Sequence, residues 1–119
     1  MPEARTYSGS CHCGNVRYEV TTDLGRVISC NCSICSRSGT LLTFVPVAQF
    51  KLLQGAGDLK DYRFNKHVIE HKFCTTCGIR PFAAGKMPNG DEMRAINVRC
   101  LEGVDLDALP ITKFDGKNA

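Results

Sequence analysis

Hydrophobic and polar residues alternate along most of the chain in short runs, which is typical of half-buried β-strands. Turn-forming residues separate these runs, notably the glycine-rich stretch 55–58 and the pair Asn89-Gly90, a strong hairpin signal. Long helical periodicity is absent, and short helical turns are predicted at 33–38 and 105–109. The pattern therefore predicts a mainly β fold, with strands in or near 16–20, 27–30, 41–45, 59–64, 68–73, 79–84 and 93–99.

The length and composition are those of a single globular domain spanning residues 1–119. Hydrophobic residues make up 43% of the chain and charged residues 23%, so a small core can form. No apolar run approaches the roughly 20 residues of a membrane helix. The first residues lack the apolar centre of a secretory signal. We therefore expect a cytoplasmic protein without a membrane partner.

Cysteine is the residue that changes this picture, because the chain contains eight. In a reducing cytosol, clustered cysteines indicate metal ligands before disulfides. The formal charge of +3 also depends on metal. Two zinc ions held by seven thiolates would bring it to 0, since 3 plus 4 minus 7 is 0. With the basic residues scattered and no aromatic residues interleaved among them, a nucleic-acid partner is not expected.

Two pairs of cysteines end in glycine and predict one structural zinc site. Cys74 and Cys77 are separated by two residues, which lets both sulfurs face one tetrahedral ion. Cys11 and Cys13 have a shorter gap and the same ending. Glycine after each pair permits a left-handed turn that directs N–H groups toward sulfur. A redox dithiol is the alternative, but the repeated Cys-Gly ending favours a zinc ion that links early strands to late ones.

The remaining cluster, Cys30, Cys32 and Cys35, supplies three cysteines within six residues. Catalytic zinc sites commonly keep three protein ligands and one exchangeable position. The eighth cysteine, Cys100, either completes this second site and closes it, or is a buried core residue. These alternatives separate an open reactive metal site from a closed structural one.

The three histidines are not expected to bind metal. His67 and His71 are four residues apart in a predicted strand, where that spacing covers about 13 Å. They cannot share one ion in that geometry and are interpreted as surface residues or as neighbours of metal ligands. His12 lies between two cysteines and is expected to bond locally or face solvent.

Together the three cysteine elements resemble the glutathione-dependent formaldehyde-activating enzyme family, which includes centromere protein V. The resemblance rests on residues 10–19, on the three-cysteine element followed by Gly39, and on residues 73–78, and it covers about residues 8–115. It implies small zinc-linked β-sheets, similar to the β-sandwich or tent-like fold of methionine-R-sulfoxide reductases, with little helix. It also implies that one zinc ion is bound by Cys11, Cys13, Cys74 and Cys77, and a second, where glutathione or another thiol docks, by Cys30, Cys32 and Cys35.

The hypothesis that follows is a zinc-dependent carbon–sulfur lyase or synthase acting on a thiol–aldehyde adduct, similar to S-(hydroxymethyl)glutathione synthase. Its catalytic residues would be Cys30, Cys32 and Cys35, which bind the zinc that activates the thiol. Two alternatives stay open from the residues. One is a glutathione or thiol carrier without catalysis, and the other is a structural zinc domain that binds other proteins.

Overall fold

The computed structural model describes residues 4–63, 69–86 and 89–115 and is mainly β. A single α-helix, α1, lies within these ranges at Ser33–Ser38. Short 3-10 turns lie at Val47–Gln49, Ala56–Asp58, Val98–Cys100 and Leu106–Ala108. The ten described strands are β1 Arg5–Ser10, β2 Arg17–Thr22, β3 Val27–Cys30, β4 Leu42–Pro46, β5 Phe50–Gln54, β6 Leu59–Tyr62, β7 Glu70–Cys74, β8 Phe82–Lys86, β9 Glu92–Asn97 and β10 Ile111–Phe114.

The strands form two sheets. The smaller sheet is antiparallel with the order β1-β2-β5, and a register shift in β2 lies between Arg17 and Tyr18. The larger sheet has the order β10-β3-β4-β9-β8-β7-β6. Its pairs are antiparallel except that β10 runs parallel to β3. In the described residues, no helix is long and apolar enough to cross a membrane.

The core lies between the two sheets. Tyr18 is 1% exposed, and its hydroxyl donates a hydrogen bond to the Pro81 carbonyl oxygen at 3.2 Å, which joins β2 to the start of β8. Its ring packs against Phe50 and Phe82. Val16, Tyr18 and Val20 are all buried, so the predicted alternation of buried and more exposed residues is confirmed. The other buried members are Leu24, Val27, Leu41, Val45, Phe82, Ile96, Val98 and Leu101.

Most predicted elements are present, with shifted ends. The helix 33–38 is confirmed, and the predicted turn at 105–109 is the 3-10 turn Leu106–Ala108, where the Asp105 side chain accepts a hydrogen bond from the Asp107 N–H. The strand predicted at 79–84 was placed too early. The turn after Cys74 continues to Ile79, whose carbonyl accepts from the Cys74 N–H, and Pro81 has no N–H for a ladder. The predicted ends at Phe64 and Val68 lie outside the described residues.

Three strands were not predicted, namely β1, β5 and β10. Each is largely exposed, so none shows an alternation strong enough to indicate a strand. These three strands are held in their sheets by hydrogen bonds to neighbouring strands. β1 forms a six-residue antiparallel ladder with β2, and β10 lies along β3.

Candidate metal centres

The two glycine-ended cysteine pairs meet at one point. Cys11 and Cys13 lie in the loop between β1 and β2, while Cys74 ends β7 and Cys77 lies in the following turn. The Sγ atom of Cys13 is 3.5 Å from that of Cys11 and 3.6 Å from that of Cys74. All four sulfurs lie within 4.8 Å of one another. Sulfurs bound to zinc at about 2.3 Å in a tetrahedron stand roughly 3.8 Å apart, so this group fits a zinc ion.

The backbone around this four-cysteine site has the predicted conformation. Gly14 has φ +84° and Gly78 has φ +79°, the left-handed region that favours glycine. The N–H of Val16 donates to the Sγ atom of Cys11 at 3.4 Å. The side chain of Asn15 donates to Thr76 at 3.3 Å and so links the two cysteine loops directly.

The pKa values of two of these thiols, Cys77 and Cys13, are shifted in opposite directions. Burial opposes ionisation of Cys77, but N–H groups of Cys13 and Ile79 and the neighbouring thiols more than offset it and lower its pKa to about 6. Cys13 receives a hydrogen bond from the Asn15 N–H, yet burial and the neighbouring thiols raise its pKa to about 12. Four sulfurs this close cannot all carry a charge without a cation, so the donor set suits a dication.

The three-cysteine site is built at the junction of β3 and α1. Cys30 is the last residue of β3, Cys32 is the N-cap of α1, and Cys35 lies in the helix. Their sulfurs lie within 4.8 Å of one another, and the Cys32 N–H donates to the Cys30 Sγ atom at 3.4 Å. The helix ends at Gly39, which has φ +71° and donates its N–H to the Cys35 carbonyl. The local chain is therefore folded to direct three sulfurs to one place.

The pKa values of Cys32 and Cys35 are also shifted in opposite directions. For Cys32, burial raises the pKa. Hydrogen bonds from the Cys35 and Ile34 N–H groups and from neighbouring thiols outweigh this effect, and the net shift of the pKa is downward. Burial and the proximity of Cys32 raise the pKa of Cys35 to about 12. Cys32 is thus the sulfur that ionises more readily of the two.

Cys100 does not join the three-cysteine site. Among the described histidine, cysteine and carboxylate side chains, no fourth one groups with Cys30, Cys32 and Cys35. Cys100 lies in the turn Val98–Cys100, and its pKa is raised to about 11 by burial and by the charges of Cys11 and Cys77. Its electrostatic neighbours thus belong to the four-cysteine site.

Arg80 and His71 form a polar pair beside the three-cysteine site. Arg80 Nη2 lies 2.8 Å from His71 Nδ1, and Arg80 Nη1 donates to the Ser38 hydroxyl at 2.8 Å. Burial lowers the pKa of Arg80, while the charges of Cys35 and Cys32 raise it in part. Burial and the Arg80 charge lower the pKa of His71. A neutral His71 can accept the Arg80 hydrogen bond at Nδ1.

These positions revise the interpretation of the histidines. His71 is 8% exposed, so its interpretation as a surface residue was wrong, because pairing with Arg80 lets the ring be buried. Its interpretation as a neighbour of metal ligands agrees with its place beside the three cysteines. His12 is exposed, and His67 lies outside the described residues.

Arg80 was not identified as a site residue from the sequence. The one feature that could have indicated it is its position three residues after Cys77.

The three cysteines line a cavity of about 550 Å³. Arg80 and His71 belong to the same wall. Most of the other lining side chains are apolar. They include residues of β3, β4, β8 and β9 and Ile69, which directly precedes β7; examples are Ile28, Leu42, Phe44, Phe82 and Met93. A small molecule can therefore reach the three-cysteine site from this cavity.

Comparison with known proteins identifies the family. The sequence model described as "Glutathione-dependent formaldehyde-activating enzyme" matches residues 6–113. The chain belongs to this family. The resemblance inferred from the three cysteine elements is therefore confirmed. Among solved structures, this family member is similar to a protein from Rhodobacter sphaeroides determined by a structural genomics programme, with 32% identity and a TM-score of 0.76. The match covers 88% of this chain and 99% of that chain.

Membership and geometry together support part of the predicted chemistry. The mainly β fold is confirmed, and two cysteine groups of this formaldehyde-activating family member could hold zinc. The family description names glutathione and formaldehyde as its small molecules.

Proposed function

We propose that this protein binds two zinc ions and catalyses the reversible addition of a thiol to an aldehyde, as a carbon–sulfur lyase or synthase. The observation that carries the proposal is the difference between the two groups. Four cysteines surround one point, whereas among the described side chains only Cys30, Cys32 and Cys35 group together on the cavity wall. Four ligands are usual for structural zinc, and three with an exchangeable position for catalytic zinc. The family description supports glutathione or a similar thiol and formaldehyde as the reactants.

The proposed reaction needs no oxidant or reductant. The thiol loses its proton, a sulfur lone pair forms a bond to the carbonyl carbon, and the carbonyl π electrons move to oxygen, which takes up a proton. The reverse reaction breaks the same C–S bond and regenerates thiol and aldehyde. Zinc bound by the three cysteines would supply the positive charge that favours the thiolate form of the incoming thiol.

The protein's own side chains have separate tasks in this scheme. Cys30, Cys32 and Cys35 hold three sulfurs in place and leave one side of the group facing the cavity. Arg80 places positive charge near Cys32 and Cys35, which offsets the negative charge that three thiolates concentrate there. In its neutral form His71 accepts the hydrogen bond of the guanidinium at Nδ1 and fixes it, so both act as positioning residues.

The test compares Cys30→Ser with Cys100→Ser. Zinc content is measured together with the exchange rate of the glutathione–formaldehyde adduct, followed by NMR. We expect Cys30→Ser to lose one equivalent of zinc and the rate enhancement, and Cys100→Ser to retain both. Unchanged zinc and turnover in Cys30→Ser would refute the proposal.

The same assay separates catalysis from a carrier. Thiols and formaldehyde combine without help, so glutathione binding with no change in exchange rate would support a thiol carrier instead. Four protein sulfurs on both metals in X-ray absorption, unaltered by added thiol, would support a structural zinc domain.

The eight cysteines form no disulfide bonds with one another, and we therefore place the protein in the reducing cytoplasm.

A further inference from the structure

The face of the larger sheet that is turned away from the core is apolar where water would be expected to meet it. In an antiparallel sheet, one face commonly packs on the core and the other is polar. Here Val45 and Ile96 point into the core, whereas Phe44 and Ala95, each one residue away along its strand, point to the opposite face. Phe44 is 49% exposed. An exposed apolar patch of this kind marks a binding surface.

Small residues at the centre of this face leave a groove between the larger side chains around them. Ala95 pairs with Phe44 on one side and with Ala83 on the other, and Met93 pairs with Gly85. A Cβ atom placed on Gly85 would meet only Ile69, at 3.8 Å. The outer-face groove is thus a floor of Ala83, Gly85 and Ala95 bounded by the larger side chains Leu42, Phe44, Ile69 and Met93.

The groove and the three-cysteine site are one cavity. Cys30, Cys32 and Cys35 line the same 550 Å³ space as the groove residues. A thiol whose sulfur lies at the three cysteines can therefore place an apolar body on the floor, whereas a strongly polar body would stay in the water at the cavity mouth.

The charged side chains of this cavity are basic. Apart from the cysteines, the described ionisable residues that line it are Arg26, His71, Arg80 and Lys86, with no carboxylate among them. Arg80 is already engaged by His71 and Ser38, while Arg26 and Lys86 form no ion pair with a described residue. A ligand with a positively charged end is disfavoured here, and a neutral or anionic one is accepted.

We propose that the outer-face groove binds the apolar body of the thiol substrate, and that this protein prefers an aromatic or branched aliphatic thiol to glutathione. The assignment of the sulfur to the three cysteines rests on the proposed function. Glutathione carries an ammonium group, for which the described lining offers no carboxylate, and peptide groups that would lose water against a mostly apolar wall. An apolar body gains from the same surface by leaving water.

Three probes test the proposal on the zinc-loaded full chain. Dissociation constants are measured by calorimetry for 3-phenylpropanethiol, for glutathione, and for 3-phenylpropanol, which has the same apolar body without sulfur. We expect 3-phenylpropanethiol to bind at least tenfold more tightly than glutathione, and 3-phenylpropanol to show measurable binding. Equal or tighter binding of glutathione would overturn the proposal, as would absence of 3-phenylpropanol binding.

Two variants locate the binding. Gly85→Val fills the floor and is compatible with a strand, and we expect about tenfold weaker binding of both phenyl ligands with unchanged glutathione binding. Phe44→Ser removes a wall, and Leu53→Ser is its control, because both side chains are 49% exposed and Leu53 lies on the smaller sheet outside the groove. Equal effects of these two serine variants would refute the location. The location would also be refuted if the protein is a dimer that the Phe44→Ser substitution dissociates and if that dimer does not bind 3-phenylpropanol.

The result is separable from the proposed function. If the phenyl ligands bind in the groove but no variant or ligand alters the rate of adduct formation, the catalytic proposal fails and the groove assignment stands. If glutathione exchange is accelerated but phenyl ligands do not bind, the catalytic proposal stands and the groove assignment fails.

Discussion

The two cysteine sites use the same ligand atoms but connect very different lengths of chain. Cys13 and Cys74 are 61 positions apart, and their contact joins a loop of the smaller sheet to the end of β7 in the larger sheet. The three-cysteine site lies within the six residues 30–35, from the end of β3 into α1. Closing a long loop removes more freedom from the unfolded chain than closing a short one. A metal at the four-cysteine site therefore contributes more to folding.

The surroundings of the sites differ in the same direction. Cys11 and Cys74 are buried with Val16 and are packed against Leu52 and Leu59 from neighbouring strands. The three-cysteine site faces a cavity instead. The two sites therefore have separate roles: a metal at the four-cysteine site would link two sheets, and a metal at the three-cysteine site would be open to a ligand. Substitutions at each site test this separation of roles.

The largest expected effect is the loss of folding in Cys74→Ser. Zinc-finger peptides gain roughly 10–16 kcal/mol on binding structural zinc. The net stability of a domain is only about 5–15 kcal/mol. We expect Cys74→Ser to lose its cooperative thermal transition, measured by near-ultraviolet circular dichroism.

The comparison variant is Cys30→Ser, which removes one ligand from the other site. It should unfold cooperatively with a free energy of unfolding within about 2 kcal/mol of wild type, the range common for single substitutions. If both variants unfold to the same extent, the two metals contribute equally to folding and the separation is wrong.

The next largest effect is expected at Gly55, which lies against the four-cysteine loop. Gly55 has φ +94°, and an added Cβ would overlap the backbone of Asn15 and stand 2.7 Å from Val16 Cα. Neither contact can be relieved by rotating a side chain. We expect Gly55→Ala to lower the free energy of unfolding by about 2–4 kcal/mol in urea titrations.

Gly57→Ala provides the matched control two residues away. A Cβ on Gly57 would meet nothing within 4 Å, so this variant should change stability by less than about 0.5 kcal/mol. A similar loss in both variants would mean that the close approach to the Asn15 backbone is unimportant.

The metal framework could be predicted from the sequence because spacing alone constrains where sulfurs can go. Cys74 and Cys77 with Gly78 specify a turn whose geometry is local, and the same holds for Cys30, Cys32 and Cys35. Cys100 could not be assigned, since its neighbours depend on how the turn Val98–Cys100 packs against distant residues.

The outer-face groove could not be predicted for a similar reason. Ala83 and Ala95 become neighbours only through the register of β8 and β9, and Phe44 through that of β4 and β9. A run of apolar residues in one strand does not indicate which of its faces is covered. Arg80 likewise gains its role from contact with His71, nine positions earlier.

A smaller effect is expected from Arg80→Met, and only at the three-cysteine site. Outer partners of metal ligands commonly alter metal affinity by about 10–100-fold. Because Arg80 places its charge near Cys32 and Cys35, we expect about tenfold weaker zinc binding there, measured by chelator competition. The four-cysteine site is the internal control and should keep its affinity.

Arg80→Lys distinguishes charge from geometry, since it keeps the positive charge and loses the planar fork. Partial recovery of zinc affinity would support an electrostatic role. Equal weakening at both sites in Arg80→Met would instead indicate a general loss of structure.

The smallest effect is expected at an ion pair on β7, the strand that ends at Cys74. Lys72 Nζ lies 2.8 Å from Asp61 Oδ1 and links β6 to β7, the strand that carries Cys74. Both side chains are partly exposed, and such pairs contribute below about 1 kcal/mol. We expect Lys72→Met to lower the free energy of unfolding by less than that at pH 7.

The acid response then shows which interaction controls the fold. The hydrogen bond from Lys72 lowers the pKa of Asp61 below its usual 3.8, so the ion pair stabilises the protein above that pH and is lost as the pH falls through the lowered value. Zinc ligation by thiolates is weakened by acid too, because protons compete for sulfur. If the four-cysteine metal dominates, wild type and Lys72→Met should have the same midpoint of acid unfolding. A midpoint shifted by more than about 0.5 pH units would mean that the ion pair, and not the metal, limits stability in acid.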